Sequence, residues 1–111
     1  MEKKNRLRKN MEFKKVYKAR KNFWNRNLIL YIKRNGTEET RIGVSITRKV
    51  GNAVVRNKLK RRIKELNRRY IESLKEGYDI VIIPKKNAVD LSFKDLESAL
   101  KHIYKLSGVW K

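Results

Sequence analysis

The sequence predicts an α+β sandwich, a single domain over residues 1–111 with one small central sheet partly covered by helices. Three observations carry that prediction. Residues 53–75 repeat apolar side chains at spacings of four and three, the period of one helix face. Residues 40–47 (TRIGVSIT) alternate, with Ile42, Val44 and Ile46 on one side and Arg41, Gly43, Ser45 and Thr47 on the other, the period of a strand covered on one face. Residues 78–83 (YDIVII) are apolar almost without a break, as a central strand would be.

Taken in order, residues 1–9 form a basic arm. Asn10 is placed to cap a helix whose first turn contains Glu12, where the helix dipole favours an acid. Phe13, Val16 and Tyr17 then share one face of that helix. Residues 21–27 (KNFWNRN) break the pattern and read as a loop. Residues 28–33 (LILYIK) are rich in strand formers and end at Asn35-Gly36, a turn signal. Together with residues 40–47 they are expected to make an antiparallel hairpin. Gly51-Asn52 supplies a turn and a helix start, and Val55, Leu59, Ile63, Leu66, Tyr70 and Leu74 form one stripe up to Gly77. Pro84 closes the central strand. A last helix opens at Ser92 with Asp95 three residues on, and Leu91 and Leu96 are spaced for a hydrophobic staple. Leu96, Leu100, Ile103 and Tyr104 are its buried stripe, and Gly108 stops it. The order is α-β-β-(β)-α-β-α, with room for one extra strand.

Length and charge narrow the function. A chain of 111 residues can bury one modest core and not two. Lys and Arg number 31 against 11 acids, a net charge of +20, which favours a polyanionic partner more than it favours folding. With no cysteine there is neither a disulfide framework nor a thiolate metal site. The N-terminus lacks the apolar stretch of a secretory signal, and no apolar run approaches the roughly 20 residues that span a bilayer, so a cytoplasmic location is expected. The excess is concentrated: residues 1–26 carry eleven Lys/Arg and two acids, and residues 48–69 carry ten and one.

Within the second segment the charges are directional. With Leu59 at zero, the apolar stripe is centred near +10°, at about 100° per residue. Asn57, Lys64, Arg68 and Arg61 fall at about 160°, 140°, 180° and 200°, and Lys60 at about 100°. Solvated helix faces usually mix signs, and only Glu65 does so here. A cationic ridge of this kind suits nucleic-acid phosphates. A membrane surface is the weaker reading, because the apolar stripe is needed for the core and Trp24 and Trp110 lie elsewhere. In the first basic segment Phe13 and Tyr17 stand among Lys14, Lys15, Lys18, Arg20 and Lys21, rings to stack bases beside charges to follow phosphates. Catalytic groups are sparse. His102 is the only histidine, with Glu97 at i−5, and reads as an exposed helix residue.

Residues 43–64, GVSITRKVGNAVVRNKLKRRIK, resemble the protein subunit of bacterial ribonuclease P, through Gly51, Asn52, Ala53, Val54, Arg56, Asn57, Lys60 and Arg61. Residues 5–17, from Asn5 to Tyr17, are similar to the opening of that family, and Tyr31 stands where its second-strand aromatic is expected. Lys58 and Lys64 depart from it: they keep the charge of the family's frequent Arg and lack its planar fork.

The resemblance implies an accessory subunit of a ribonucleoprotein that removes the 5′ leader of precursor tRNA, with Mg²⁺ and the hydrolytic chemistry held chiefly by the RNA. It implies contacts to the catalytic RNA from Arg48, Lys49, Arg56, Asn57, Lys58, Lys60, Arg61, Lys64 and Arg68. A cleft for the single-stranded leader would involve Phe13, Lys14, Tyr17, Tyr31, Ser45 and Lys86. No catalytic residue, no protein-held metal, no membrane and no obligatory oligomer are expected. The family fold also implies a left-handed βαβ crossover, against the general rule. A structural, ribosomal-type RNA-binding protein is the first alternative, and a self-sufficient nuclease the second.

Overall fold

A computed structural model describes residues 2–111. Its regular elements are α1 (Asn10–Lys18), β1 (Asn22–Trp24), β2 (Leu28–Arg34), β3 (Arg41–Val44), α2 (Ala53–Tyr70), β4 (Tyr78–Pro84) and α3 (Phe93–Leu106), joined in places by single 3₁₀ turns. The four strands make one mixed sheet in the order β1-β2-β4-β3. The α+β order expected from the sequence is the one observed, with β1 as the extra strand.

The apolar run of residues 78–83 becomes the central strand. Strand β4 pairs antiparallel with β2, Leu28 opposite Pro84 and Arg34 opposite Tyr78, and parallel with β3, Arg41 opposite Asp79 and Val44 opposite Ile82. The expected hairpin between residues 28–33 and 40–47 therefore does not form. The Asn35-Gly36 turn is real: Gly36 has a positive φ of 73° and the Asn35 side chain accepts from Thr37 N–H. It carries the chain past the position of β4 rather than back along β2. An Ile/Val run with no polar face loses more apolar burial at an edge than in the centre, so β4 takes the central place.

Residues 22–24, read as loop, are instead β1, an edge strand antiparallel to β2 with Phe23 opposite Leu30. Its three residues, Asn22, Phe23 and Trp24, are too few to show a strand period of their own, and pairing with β2 decides it. Strand β3 is also shorter than residues 40–47, because the chain turns into the 3₁₀ segment Arg48–Val50, anchored by buried Val50.

Two apolar layers lie against the sheet. On one face Leu28, Leu30, Ile32, Ile42, Ile80 and Ile82 meet Leu59, Ile63 and Leu66 of α2 and Leu96, Leu100, Ile103 and Tyr104 of α3. On the other, Val81 meets Val16 of α1 and Leu7, with Phe13, Tyr17, Tyr31 and Ile83 packed around them. The basic arm is thus not free along its length. Leu7 is buried, its N–H donates to Ile42 O at 3.2 Å, and Arg6 bridges to Ile42 in parallel register.

Helix ends follow the sequence with one correction. Asn52 Oδ1 accepts from Val55 N–H at 3.0 Å, and Ser92 Oγ from Asp95 N–H at 3.1 Å. At α1, however, Asn10 is the first helical residue and not the cap. Its place is taken by Glu12, whose carboxylate reaches back to the N–H groups of Arg8 and Lys9, answering orphan donors with a charge the dipole favours. The same carboxylate pairs with Arg41, whose guanidinium also grips buried Asp79 through Nε at 2.9 Å and Nη2 at 2.7 Å. Helix α2 ends at Tyr70 and runs on as a 3₁₀ turn, Ile71–Ser73, short of the 75 expected.

Two stability outcomes follow. The Glu12 carboxyl is held below its ordinary value by the Lys9 N–H first, then by the Arg8 N–H and Arg41. Its stabilisation is therefore present above the ordinary glutamate range and lost as pH falls through its lowered value. In acid titrations followed by circular dichroism, Glu12→Gln should flatten that limb, and superimposable limbs would remove Glu12 from the fold's charge balance. Asn52→Ala should cost about 1 kcal/mol in urea unfolding through loss of the α2 cap.

Candidate nucleic-acid interface

The α2 stripe settles which side chains are offered to a partner. With Leu59, Ile63 and Leu66 buried, Asn57, Lys58, Lys60, Arg61, Lys64 and Arg68 are exposed, as the angular reading requires. Arg56 is only half-buried, and its Nε is enclosed without a hydrogen-bond partner. Glu65, the single acid of the segment, pairs with Arg68 at 2.6 Å. Arg48 and Lys49 extend the cationic surface from the 3₁₀ turn before α2, both exposed.

The two basic segments, which the concentration of charge suggests should build one binding surface, meet. Because the arm lies along β3, Arg6 joins Arg61, Lys64 and Arg68 around one shallow hollow. The Lys64 ammonium is pushed below its ordinary pKa by partial desolvation first, and then by the Lys60 and Arg6 charges. Repulsion of that kind is relieved when an anion binds.

On the other side of β3 a groove runs beside α1. Phe13, Lys14 and Tyr17 supply one wall, Val44, Ser45 and Ile46 the other, and Arg8, Asn10 and Lys60 complete it. Gly43 makes room for this arrangement, since a Cβ there would stand 2.4 Å from Phe13 Cζ. Of the six residues expected at a cleft, Phe13, Lys14, Tyr17 and Ser45 are brought together. Tyr31 stands behind Tyr17 in an edge-to-face contact, ring centroids 5.1 Å apart, and is not in the groove lining. Lys86 is exposed in the 3₁₀ turn Lys86–Asp90 beyond β4, also outside that lining.

Arg8, Asn10 and the double placement of Lys60 were missed. Arg8 and Asn10 alternate with buried Leu7 and half-buried Phe13 along a segment that looked only basic, and the lone apolar Leu7 was the available signal of docking. His102 is exposed on α3, its Nδ1 3.2 Å from Asn25 Nδ2, far in sequence from either basic segment. Among the described residues no group of three or more His, Cys, Asp or Glu is arranged to hold a metal ion, and no helix is long and apolar enough to cross a membrane.

The comparisons with known proteins agree with one another. A family model described as Ribonuclease P matches residues 1–107. The Ribonuclease P protein component of Finegoldia magna is 50% identical over 103 residues, covering 93% of this chain and 90% of that protein. The one from Clostridium botulinum (strain Langeland) is 45% identical over 109 residues, covering 97% and 98%. Among solved structures, the RNase P protein of Staphylococcus aureus superposes with a TM-score of 0.89 at 31% identity, over 96% of this chain and 98% of that one. That of Thermotoga maritima gives 0.84 at 32%, over 91% and 96%.

The ridge predicts a salt signature. Arg61→Ala should weaken binding to structured RNA and lower the slope of log affinity against log salt by about 1. An unchanged slope in filter-binding titrations would show that this side chain does not meet phosphate.

Proposed function

The chain belongs to the ribonuclease P protein family, and from that premise we propose how its two surfaces divide their work. It is an accessory protein component of an endoribonuclease ribonucleoprotein, and its partner is ribonuclease P RNA. That identity sets aside the ribosomal-type alternative.

In our reading the α2 ridge, with Asn57, Lys58, Lys60, Arg61, Lys64 and Arg68, lies against the catalytic RNA, flanked by Arg48, Lys49 and Arg56. Structured RNA offers shape and phosphates, and a ridge of cations with hardly any acid can hold it without reading sequence. The groove beside α1 receives the single-stranded 5′ leader of precursor tRNA. Phe13 and Tyr17 stack on unpaired bases while Lys14 and Arg8 follow the backbone, and Ser45 offers a hydroxyl at the far wall. Tyr31 acts behind Tyr17 by holding its ring, and Lys86 lies outside the groove.

The observation that carries this reading is the difference in lining between two adjacent basic surfaces. One is charge alone on a helix, and the other mixes rings with cations beside a strand edge. Two RNA surfaces of different character suit them. The hydrolytic chemistry is assigned to the RNA with its Mg²⁺ ions; six of this chain's eleven carboxylates pair with Lys4, Arg41, Arg68 and Arg69, and among the described residues no three acids, His or Cys are grouped to hold a metal ion. The protein's part is to bind, orient and neutralise, as one copy in the cytoplasm.

Reconstitution tests this directly. Added to ribonuclease P RNA and precursor tRNA at low Mg²⁺, the chain should raise 5′ processing, and no gain would sink the proposal. Phe13→Ala should weaken leader-bearing substrate by about 1–3 kcal/mol, the worth of one stacked base, and leave mature tRNA unaffected. Equal losses on both would return Phe13 to a purely structural role.

A further inference from the structure

The face of the sheet that carries α1 is only half covered by it. Two rows of side chains cross the strands on that face, because residues paired in register point the same way. The first row is Gly43, Val81, Tyr31 and Asn22, and α1 lies over it through Phe13, Val16 and Tyr17. The second is Ile83, Ile29 and Trp24. Ser45 continues it on the β3 side, its N–H donating to Ile82 O at 2.9 Å. Helix α1 stops at Lys18, and the chain drops through Arg20, at a φ of 57°, to the edge strand β1 without closing over this row. Ile83 and Ile29 are half-buried and Trp24 is 64% exposed.

Trp24 stands on a braced support. The side chain of Asn25, directly after it, accepts from the N–H groups of Asn27 and Leu28 at 3.0 and 2.8 Å and donates to Ala99 O at 2.9 Å. Asn87 ties the same turn to the 3₁₀ segment beyond β4, donating to Arg26 O at 3.0 Å and accepting from Asn27 at 3.1 Å. Half-buried rings elsewhere are answered within the fold. Lys101 stands over Tyr70, Arg69 over Phe93 and Lys105 over Trp110, at 5.2, 5.3 and 5.4 Å from the ring centroids. Among the described residues no cation or ring covers Trp24 in this way. The surroundings are cationic: residues 13–37 hold eight Lys/Arg and no acid, and Arg26 and Lys86 are exposed on the two tied turns.

We propose that Trp24 is a further base-stacking subsite, reached from the groove across Ser45, Ile83 and Ile29, and that it takes an unpaired leader nucleotide upstream of those at Phe13 and Tyr17. The choice of the leader rests on the groove reading given above. In the sheet order β1-β2-β4-β3, the α2 ridge borders β3 and Trp24 lies on β1, so a strand crossing the groove toward Trp24 moves away from the catalytic RNA. The row from Ser45 to Trp24 crosses three strand spacings, about 14 Å, within reach of an extended single strand. A flat apolar floor with cations around it suits a base face and its phosphate, and paired bases keep those faces inside their own stack. A second copy of the chain would need a long open edge to add to, and β1 has three residues.

The first arm of the test contains neither ribonuclease P RNA nor tRNA. In the full chain carrying Trp110→Phe, Trp24 is the only tryptophan. Its emission is followed while a short single-stranded oligoribonucleotide, or a duplex of equal length, is added at constant salt. Quenching should saturate with the single strand and be far weaker with the duplex. No quenching by the single strand, or equal quenching by both, would overturn the subsite. The second arm uses the reconstituted holoenzyme and two precursor tRNAs, one with a leader just long enough to fill the groove at Phe13 and Tyr17 and one with a longer leader. Trp24→Ala should weaken binding of the longer leader about tenfold, within the range for one stacked base, and leave the shorter one unchanged. Trp24→Phe, which keeps a ring, should recover most of that loss. Equal losses on both leaders, no loss on the longer one, or dimers in sedimentation that Trp24→Ala abolishes would each overturn the proposal. Phe13→Ala weakening both leaders while Trp24→Ala weakens neither is the failure of this subsite alone. Indifference of both leaders to Phe13→Ala would remove the groove, and with it the leader as occupant, while the oligonucleotide arm still decides whether Trp24 stacks on a single strand.

Discussion

Strand β4 is hydrogen-bonded along both edges, to β2 and β3, and covered on both faces, by α1 on one and by α2 with α3 on the other. Both basic surfaces are placed relative to it. Its inward Ile80 and Ile82 set the layer on which α2 lies, and so fix which side of α2 faces out. Its opposite-facing Val81 sets the layer under α1, and Asp79 at its start holds Arg41, which in turn holds Glu12 and the beginning of α1. A bidentate guanidinium between two carboxylates, one of them buried, is a rigid joint. The ridge and the groove are thus two faces of one sheet, meeting at β3.

That meeting explains how a chain with a +20 charge folds at all. The eleven carboxylates are not scattered to cancel the 31 cations evenly. Glu12 and Asp79 are committed to Arg41, Glu65 to Arg68 and Glu97 to Arg69. A recess lined by Arg6, Arg8, Lys60 and Lys64 has no acid in its own lining. Self-repulsion of this kind costs the free chain stability and is recovered on binding.

How much of this could be read from the sequence depended on whether the signal was local. Helix α2, helix α3 and the centrality of β4 follow from period and capping, which Asn52, Ser92 and the Ile/Val run carry within a few residues. The hairpin expectation failed because a turn signal at Asn35-Gly36 says that the chain reverses and not which strand it will sit beside. Strand β1 failed for the same reason, its existence depending on Leu30 and Ile29 across the register. Within the interface, Phe13, Tyr17 and the α2 cations came from spacing, and Ser45 from the family resemblance. Arg8 beside Lys60 had only the lone apolar Leu7 as its local trace, and Asn67 answered by Tyr104 across 37 residues had none.

The two sheet edges are treated differently. On the β3 side the arm bridges at Ile42, so the edge that would otherwise be open is occupied by the chain's own backbone. On the other side β1 is only three residues long, with Arg20 in a left-handed turn and Lys21 before it and Arg26 just after. A short, cationic edge is a poor template for another strand. The same positive charge that attracts RNA therefore also keeps copies of this chain from adding to one another's sheets before RNA is available to hold them apart.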